Sequence, residues 1–254
     1  MKKDPVLLRG QWGGNSLQFD AQGHPQKNYP VVPFTLSVVA VQSVQQKGDG
    51  LLIEGQRQGL EFEAKFKGDP VMKRVPLTKP AHGKISIEIA GSAGADYTAA
   101  LGAVFLPDLA SAVPQMPAYW QRYARAHFLP HGAQVATATP VQPPVPAHVP
   151  EPSETETKPL PLSVESGASV PKIVQLVEPG YTEEAQGRLT GNVELYLWVG
   201  EDGSVSHVEI AKPLGLGLDE RAIDAVMKYK FVPAKLHGKP VKTDLYIDIN
   251  FQFF

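Results

Sequence analysis

The sequence predicts an α+β protein in which a mainly-β domain, a proline-rich linker and a smaller domain of sheet and helices follow one another. Three observations predict this order. The N-terminal part alternates apolar and polar residues, the middle is rich in proline, and the C-terminal part combines alternating stretches with an amphipathic helix. With 254 residues, the chain is long enough for two domains, since single domains usually contain about 100–200 residues.

The composition excludes several classes of function. The formal net charge is −2, which gives no indication of a nucleic-acid or anionic-membrane partner. The chain contains no cysteine, which excludes disulfides, thiolate catalysis and cysteine-type zinc sites. The longest apolar run, residues 31–41, is interrupted by Pro33 and is far shorter than the roughly 20 residues of a membrane helix.

The first residues do not have the pattern of a signal peptide. Lys2 and Lys3 provide a basic start, but Asp4 and Pro5 stand where an apolar segment of about 7–15 residues would follow. The sequence therefore indicates either a cytoplasmic protein or one from which a targeting or anchor segment has been removed. The C-terminal residues described below favour removal.

The first predicted domain, residues 1–129, is mainly β. Its predicted strands are Val31–Val44, Leu51–Ile53, Leu60–Phe66 and Lys84–Ile89. The last two alternate strictly between apolar and polar residues, which is typical of strands with one buried face. Short strands at this spacing predict a sandwich or a partly open barrel.

A helix is predicted near the end of this domain, over Pro117–Phe128. Proline favours the first position of a helix, and Tyr119, Tyr123 and His127 recur at the spacing of one helical face, with Trp120 beside them. Such an aromatic stripe is usually packed core. The alternative is that it forms part of a ligand surface.

The predicted linker covers residues 130–170. From Pro130 to Pro171 the chain contains ten of its 24 prolines and no aromatic residue. Such a segment cannot bury enough apolar surface to offset the entropy of ordering it. Because proline fixes φ, the linker is expected to be extended and semi-rigid.

The second predicted domain, residues 171–254, begins with a short helix over Glu183–Arg188, for which Thr182 is a plausible N-cap. The alternating strand Asn192–Val199, a turn with Asp202 and Gly203, and the return strand Ser204–Ile210 predict a hairpin. The return strand changes parity near Ser206 and His207, which a β-bulge would reconcile.

The remaining elements of this domain are a helix and a long strand. Leu218–Tyr229 has an apolar stripe, with Asp219 and Glu220 at its N-terminal end, as the helix dipole favours. Lys242–Phe254 alternates throughout and is expected to form one strand. The domain is therefore predicted to be an antiparallel sheet with two helices on one face.

The C-terminal strand is the candidate binding site. A strand at the border of a sheet presents unpaired N–H and C=O groups, with which an extended peptide can form hydrogen bonds. The same border could instead pair with a second copy of the chain, which would give a homodimer; the two uses are compatible. The candidate partner-binding residues on this strand are Asp244, Leu245, Tyr246, Ile247, Asp248, Ile249, Asn250 and Phe251.

The C-terminal third also resembles a known family. The residues that carry the resemblance are Pro179, Tyr181, Ala185, Gly191, Val193, Asp202, Gly203, Leu218, Asp219, Ala222, Phe231, Pro233, Ala234, Gly238, Lys239, Pro240, Val241, Asn250 and Phe251. In this order and with these short gaps, they resemble the TonB C-terminal domain of energy transducers. The N-terminal domain resembles no family that we recognise.

The resemblance implies a periplasmic module that binds the short Ton box of an outer-membrane transporter by strand addition, with Glu178 and Tyr181 near the entrance. Two departures stand against it. The family usually has Tyr-Pro where this chain has Tyr181 and Thr182, and no counterpart of the family's membrane helix occurs here. The alternative is therefore a cell-envelope scaffold or ligand-binding protein without a role in energy transduction.

Catalytic motifs are missing from the sequence. Of the seven histidines, only His127 and His131 stand four residues apart, and the second lies in the predicted linker. No nucleophile elbow, P-loop or dinucleotide fingerprint occurs. The glycines at Gly215 and Gly217 fit a helix-entry turn better than a phosphate loop. We therefore expect no enzymatic activity, no metal and no cofactor.

Overall fold

The computed structural model describes residues 5–63, 65, 70–78, 83–91, 96–130, 158–161 and 167–253. We call residues 5–130 the N-terminal region and residues 167–253 the C-terminal region. The strands of the N-terminal region are β1 Val6–Leu8, β2 Ser16–Phe19, β3 Val38–Lys47, β4 Gly50–Glu63, β5 Val71–Pro76, β6 Lys84–Ile89 and β7 Phe105–Leu106. Its helices are α1 Thr98–Val104, α2 Leu109–Ala112 and α3 Ala118–His127, with 3-10 turns at Phe34–Leu36 and Val113–Gln115.

The C-terminal region completes a mixed α+β protein, as predicted. Its single α-helix among the described residues is α4, Leu218–Val226. Its strands are β8 Lys172–Gln175, β9 Gly191–Val199, β10 Val205–Lys212, β11 Lys230–Val232, β12 Lys235–Leu236, β13 Lys239–Pro240 and β14 Thr243–Phe251.

The N-terminal strands form one seven-stranded sheet that does not close into a barrel. Six of the strands follow the order β2-β6-β4-β3-β1-β7, and β5 pairs with the second half of β4. The β2–β6 pair is parallel and the other pairs are antiparallel. A hydrophobic cluster formed within this region includes Phe19, Ile53 and Ile87.

Two of the predicted N-terminal strands differ from the structure. The predicted strand Val31–Val44 begins only at Val38, because Pro33 leads into the buried 3-10 turn. The predicted strands Leu51–Ile53 and Leu60–Phe66 are parts of one strand, β4, which pairs with β6 along its first half and with β5 along its second. Residues 64 and 66 of the second prediction lie outside the described part of the chain.

The two regions share a hydrophobic core. Leu60 and Phe62 of β4 are buried in the same cluster as Leu195 and Leu197 of β9. Trp120 of α3 is fully buried in this cluster, with its ring 5.6 Å from that of Phe34 and 6.2 Å from that of Phe62. Tyr119 and Tyr123 are buried there too, whereas His127 is exposed. Most of the aromatic stripe of α3 is therefore core.

Backbone hydrogen bonds join the regions at β4. The N–H of Phe62 donates to the carbonyl of Leu214 (3.0 Å), and the N–H of Leu216 donates to the carbonyl of Leu60 (2.9 Å). Gly215 lies between these bonds with a φ of +100°, and a Cβ there would lie 2.1 Å from the Leu60 carbonyl oxygen. Only glycine fits this close approach, which gives the segment before α4 a structural role.

The C-terminal region contains one three-stranded antiparallel sheet, in the order β10-β9-β14, and two small ribbons, β11-β8 and β12-β13. The buried face of β9 carries Val193, Leu195, Leu197 and Val199, as its alternation predicts. The predicted bulge in β10 is confirmed by a register shift between Val205 and His207.

Three C-terminal predictions need correction. The predicted helix Glu183–Arg188 is a series of turns, which Gly187 ends with a φ of +74°. Thr182 nevertheless accepts a hydrogen bond from the N–H of Ala185 through Oγ1, as an N-cap would. Helix α4 ends at Val226 and β14 ends at Phe251, so each is shorter than predicted.

Candidate functional site

Strand β14 forms one border of the C-terminal sheet. All nine of its residues pair with β9, from Thr243 opposite Val199 to Phe251 opposite Gly191. On its other side, the described residues place one partner, Leu160, which forms a parallel bridge with Thr243. From Tyr246 onward, no described strand pairs with this border.

The opposite border of the sheet is covered. Helix α3 of the N-terminal region packs against β10, the strand at that border. Its Arg122 forms an ion pair with Glu209 of β10, with 3.2 Å between Nη1 and Oε2. Its Trp120 donates a hydrogen bond from Nε1 to Oε1 of Glu220 in α4, at 2.9 Å. The N-terminal region thus closes one border of the sheet with a helix.

The backbone of β14 presents alternate residues to the open border. The carbonyl of Lys242 points away from β9, since it accepts a hydrogen bond from the N–H of Leu160 at 2.9 Å. Because strand residues alternate in direction, the N–H and C=O groups of Asp244, Tyr246, Asp248 and Asn250 also point outward. The residues between them direct their backbone groups towards β9.

The side chains of β14 point alternately to the two faces of the sheet, one buried and one exposed. Ile249 and Phe251 are buried in the shared core, and Leu245 and Ile247 are half-buried against it. Tyr246 on the outer face is 52% exposed. An incoming strand would therefore meet an apolar face on one side and a polar, aromatic face on the other.

The outer face carries a cluster of aromatic and charged side chains. The Tyr196 hydroxyl donates to Oδ2 of Asp244 at 2.9 Å and accepts from Nε1 of Trp198 at 3.0 Å. The Tyr196 and Tyr246 rings lie 5.2 Å apart. Burial, together with the nearby Asp244 carboxylate, raises the pKa of Tyr196. The cluster therefore fixes the side chain of Asp244 at the border.

Arg122 connects this cluster to the N-terminal region. Its guanidinium lies 4.6 Å from the centre of the Tyr196 ring, and its Nη2 donates to the Tyr246 hydroxyl at 2.7 Å. Burial acts to raise the pKa of Glu209, but hydrogen bonds from His207 and Arg122 outweigh it, so that the pKa is lowered. Helix α3 thus holds a side chain of β14 from the far border of the sheet.

Of the two residues expected near the entrance of the site, Tyr181 contacts the end of β14, whereas Glu178 is exposed and acts on Tyr229. The Tyr181 ring stacks on Phe253, with centroids 4.9 Å apart, and meets the edge of Phe251 at 5.5 Å. Tyr181 therefore lies at the Phe251 end of β14. Glu178 is exposed, and its charge acts with burial to raise the pKa of Tyr229.

A groove of about 840 Å³ opens beside β14 at Asp248. It is bordered by Asn192 and Glu194 of β9 on one side and by Glu63 and Lys73 of the N-terminal region on the other. Its lining also includes Lys212 of β10, so the groove extends from β14 across β9 to β10 and carries both carboxylates and amines.

Sequence reasoning missed two contributors to this site, Arg122 and Leu160. Arg122 is 124 residues from Tyr246 in the chain, and nothing in the pattern of α3 links it to β14. Leu160 lies in the predicted linker, where composition indicates no pairing. The flanking Pro159 and Pro161, at alternate positions, were the one local signal that could have suggested an edge segment.

The described residues contain no cluster of three or more histidine or acidic side chains that could hold a metal ion. His207, which lies beside Glu209 at 3.3 Å, is buried under Trp198. No helix in the described part of the chain has both the length and the apolar character needed to cross a membrane.

Comparison with known families agrees with this geometry. Residues 177–253 match the model of the family described as Gram-negative bacterial TonB protein C-terminal, which confirms the resemblance predicted from the sequence. A search among curated proteins finds no match to the chain. A TonB C-terminal domain implies a TonB-like part in TonB-dependent transport and interaction with outer-membrane transporters. Domains of this family are non-enzymatic.

Proposed function

We propose that this protein captures an extended, Ton-box-like peptide of an outer-membrane transporter in the periplasm, by strand addition to β14. The proposal starts from the TonB C-terminal domain at residues 177–253. The observation that carries it is the contrast between the borders of the sheet. Helix α3 packs on β10, whereas β14 offers outward backbone groups from Tyr246 to Asn250.

Backbone pairing explains how such capture would work. The outward N–H and C=O groups of Tyr246, Asp248 and Asn250 can bond with a peptide of any sequence. Each such bond contributes about 0.5–1.5 kcal/mol net, which suits reversible binding in the micromolar range. Half-buried Leu245 and Ile247 favour apolar residues on the same face of the peptide.

No chemical step belongs to this role. Binding a peptide strand moves no proton and breaks no bond, so the site needs neither a catalytic group nor a metal. The N-terminal region acts by holding α3 against the sheet and Arg122 against Tyr246. We therefore assign it a supporting part in presenting β14, and we propose residues 1–129, 130–170 and 171–254 as domain, linker and domain.

A proline at Asp248 tests the proposal. The N–H of Asp248 points outward, away from β9. Asp248→Pro therefore removes one hydrogen-bond donor to a bound peptide and leaves the hydrogen bonds between β14 and β9 in place. We expect the affinity of the full chain for a panel of Ton-box peptides, measured by calorimetry, to fall about 2- to 10-fold. Thermal unfolding should change little.

The control is Asp248→Asn, which keeps the N–H and removes only the charge. It should bind the panel within about 2-fold of the natural chain, since an exposed charge contributes little. Equal binding by a folded Asp248→Pro chain, or no binding of any panel peptide by the natural chain, would contradict peptide capture on β14. Light scattering on the same samples separates this use of the border from pairing between two copies.

A further inference from the structure

A segment of the linker already occupies one end of the β14 border. We call Lys158–Pro161 the spacer segment. Leu160 in this segment forms a parallel bridge with Thr243, and its N–H donates to the carbonyl of Lys242 at 2.9 Å. The contact is a backbone hydrogen bond of the same kind that a captured peptide would make.

The prolines on either side of Leu160 suit this position. In a strand that pairs through Leu160, the neighbouring residues direct their backbone groups away from β14. Pro159 and Pro161 stand at those positions, so no hydrogen bond to β14 is lost by their missing N–H groups. The same absence denies an N–H to any further strand on the outside, as in natural edge strands.

Burial at the Thr243 end of β14 agrees with this contact. Thr243, next to Leu160, is fully buried, and Leu160 is half-buried. On the same face of β14, the next two side chains, Leu245 and Ile247, are only half-buried. The spacer segment therefore lies against the buried Thr243 end of the border.

We propose that the spacer segment Lys158–Pro161 is a resident ligand of the β14 border and competes with an incoming peptide for its Thr243 end. This competition rests on the proposed peptide capture, but the contact in the chain itself does not. A peptide that pairs only from Tyr246 onward would leave the spacer segment in place. A peptide that reaches Thr243 would displace it.

Removing the Leu160 N–H tests the competition. In the full chain, Leu160→Pro deletes the donor, whereas Leu160→Ala keeps it and removes only the side chain. We expect Leu160→Pro to bind Ton-box peptides about 2- to 10-fold more tightly than the natural chain, because one competing hydrogen bond is lost. A proline at Val141, earlier in the same linker, controls for stiffening and should leave the affinity unchanged.

A second probe needs no transporter peptide. A synthetic peptide of residues 155–163 is added to each variant, and binding is followed by the backbone NMR shifts of Thr243 and Asp244. We expect the Leu160→Pro chain to bind it at least 3-fold more tightly than the natural chain, whose border is occupied. The same peptide with proline in place of its leucine at 160 should not bind.

The two probes separate the two proposals. If the spacer peptide binds Leu160→Pro while no Ton-box peptide binds any variant, peptide capture fails and the resident ligand stands. If Ton-box peptides bind the natural and Leu160→Pro chains equally, and the spacer peptide binds neither, the resident ligand is overturned. In that case the amide of Leu160 should also exchange with solvent as fast as an unpaired amide.

Discussion

The two borders of the C-terminal sheet differ in whether another part of the chain covers them. At β10, an aromatic helix from the other region of the chain covers the border and joins the shared core. At β14, the outward backbone groups from Tyr246 onward have no strand partner among the described residues. Since an uncovered border invites pairing with other chains, the difference supports our proposal that β14 binds a peptide.

The open border also carries features that limit indiscriminate pairing. Asp244 and Asp248 place negative charges on it, and charged side chains are a common protection of natural edge strands. The spacer segment closes its first residues with a proline on either side of Leu160. The covered border uses apolar burial instead. On our proposal, one sheet thus combines a permanent cover at β10 with a spacer segment at β14 that a peptide can displace.

The largest expected effect comes from breaking the permanent cover. Trp120→Ala removes a fully buried side chain that contacts Phe34, Phe62 and Glu220. Truncations of this kind destabilise proteins by about 3–5 kcal/mol through lost transfer energy and the cavity left behind. We expect a loss of this size in the free energy of unfolding, measured with urea.

Arg125→Ala provides the matched control, because Arg125 lies on the exposed side of the same helix. Its unfolding free energy should stay within about 0.5 kcal/mol of the natural value. If Trp120→Ala also changed stability by less than 1 kcal/mol, the helix would not be the cover that we describe.

A smaller effect is expected in the pH dependence of stability, because Glu220 of α4 is buried against Trp120 of the covering helix. Burial raises the pKa of Glu220 from its ordinary 4.5 to about 8, the Asp219 carboxylate acts in the same direction, and the hydrogen bond from Trp120 opposes them. The folded protein thus holds this proton more tightly than the unfolded chain. The contribution of protonated Glu220 to the free energy of unfolding is therefore fully present below pH 4.5 and is lost as the pH rises towards 8.

Glu220→Gln should remove this dependence, since glutamine carries no titrating proton and can still accept from Trp120. We expect the variant to be more stable than the natural chain at pH 9, by on the order of 1 kcal/mol, with a smaller difference at pH 5. Urea unfolding at both pH values measures it. A natural chain that is equally stable at both, or a variant with the same slope, would show that Glu220 does not titrate at this interface.

Sequence patterns predicted local structure well where one face of a strand meets the core. The alternation in Lys84–Ile89 and Asn192–Val199 gave both the strands and their buried faces, because side-chain direction follows period two. The N-cap signal at Thr182 was misleading for Glu183–Arg188, where too few residues precede Gly187 to form a helix. The strand patterns also divided β4 in two, since its middle carries buried Gly55 and Arg57.

Long-range contacts were beyond the reach of these patterns. The shared core joins Phe62 to Leu195, and the site depends on Arg122 and Leu160, each from a separate part of the chain. The direction of the β14 backbone groups also needed the structure. Period two shows which residues share a face, but only the position of β9 shows which amides point outward.

Amide hydrogen exchange along β14, measured by NMR in the full chain, tests the account most directly. Without peptide, the amides of Tyr246, Asp248 and Asn250 should exchange faster than those of Leu245, Ile247 and Ile249, which bond to β9. Saturation with a Ton-box peptide that binds should slow the first three and leave the others unchanged. Equal protection of both sets in the free chain, or bound peptide that leaves the outward amides fast, would contradict strand addition at this border.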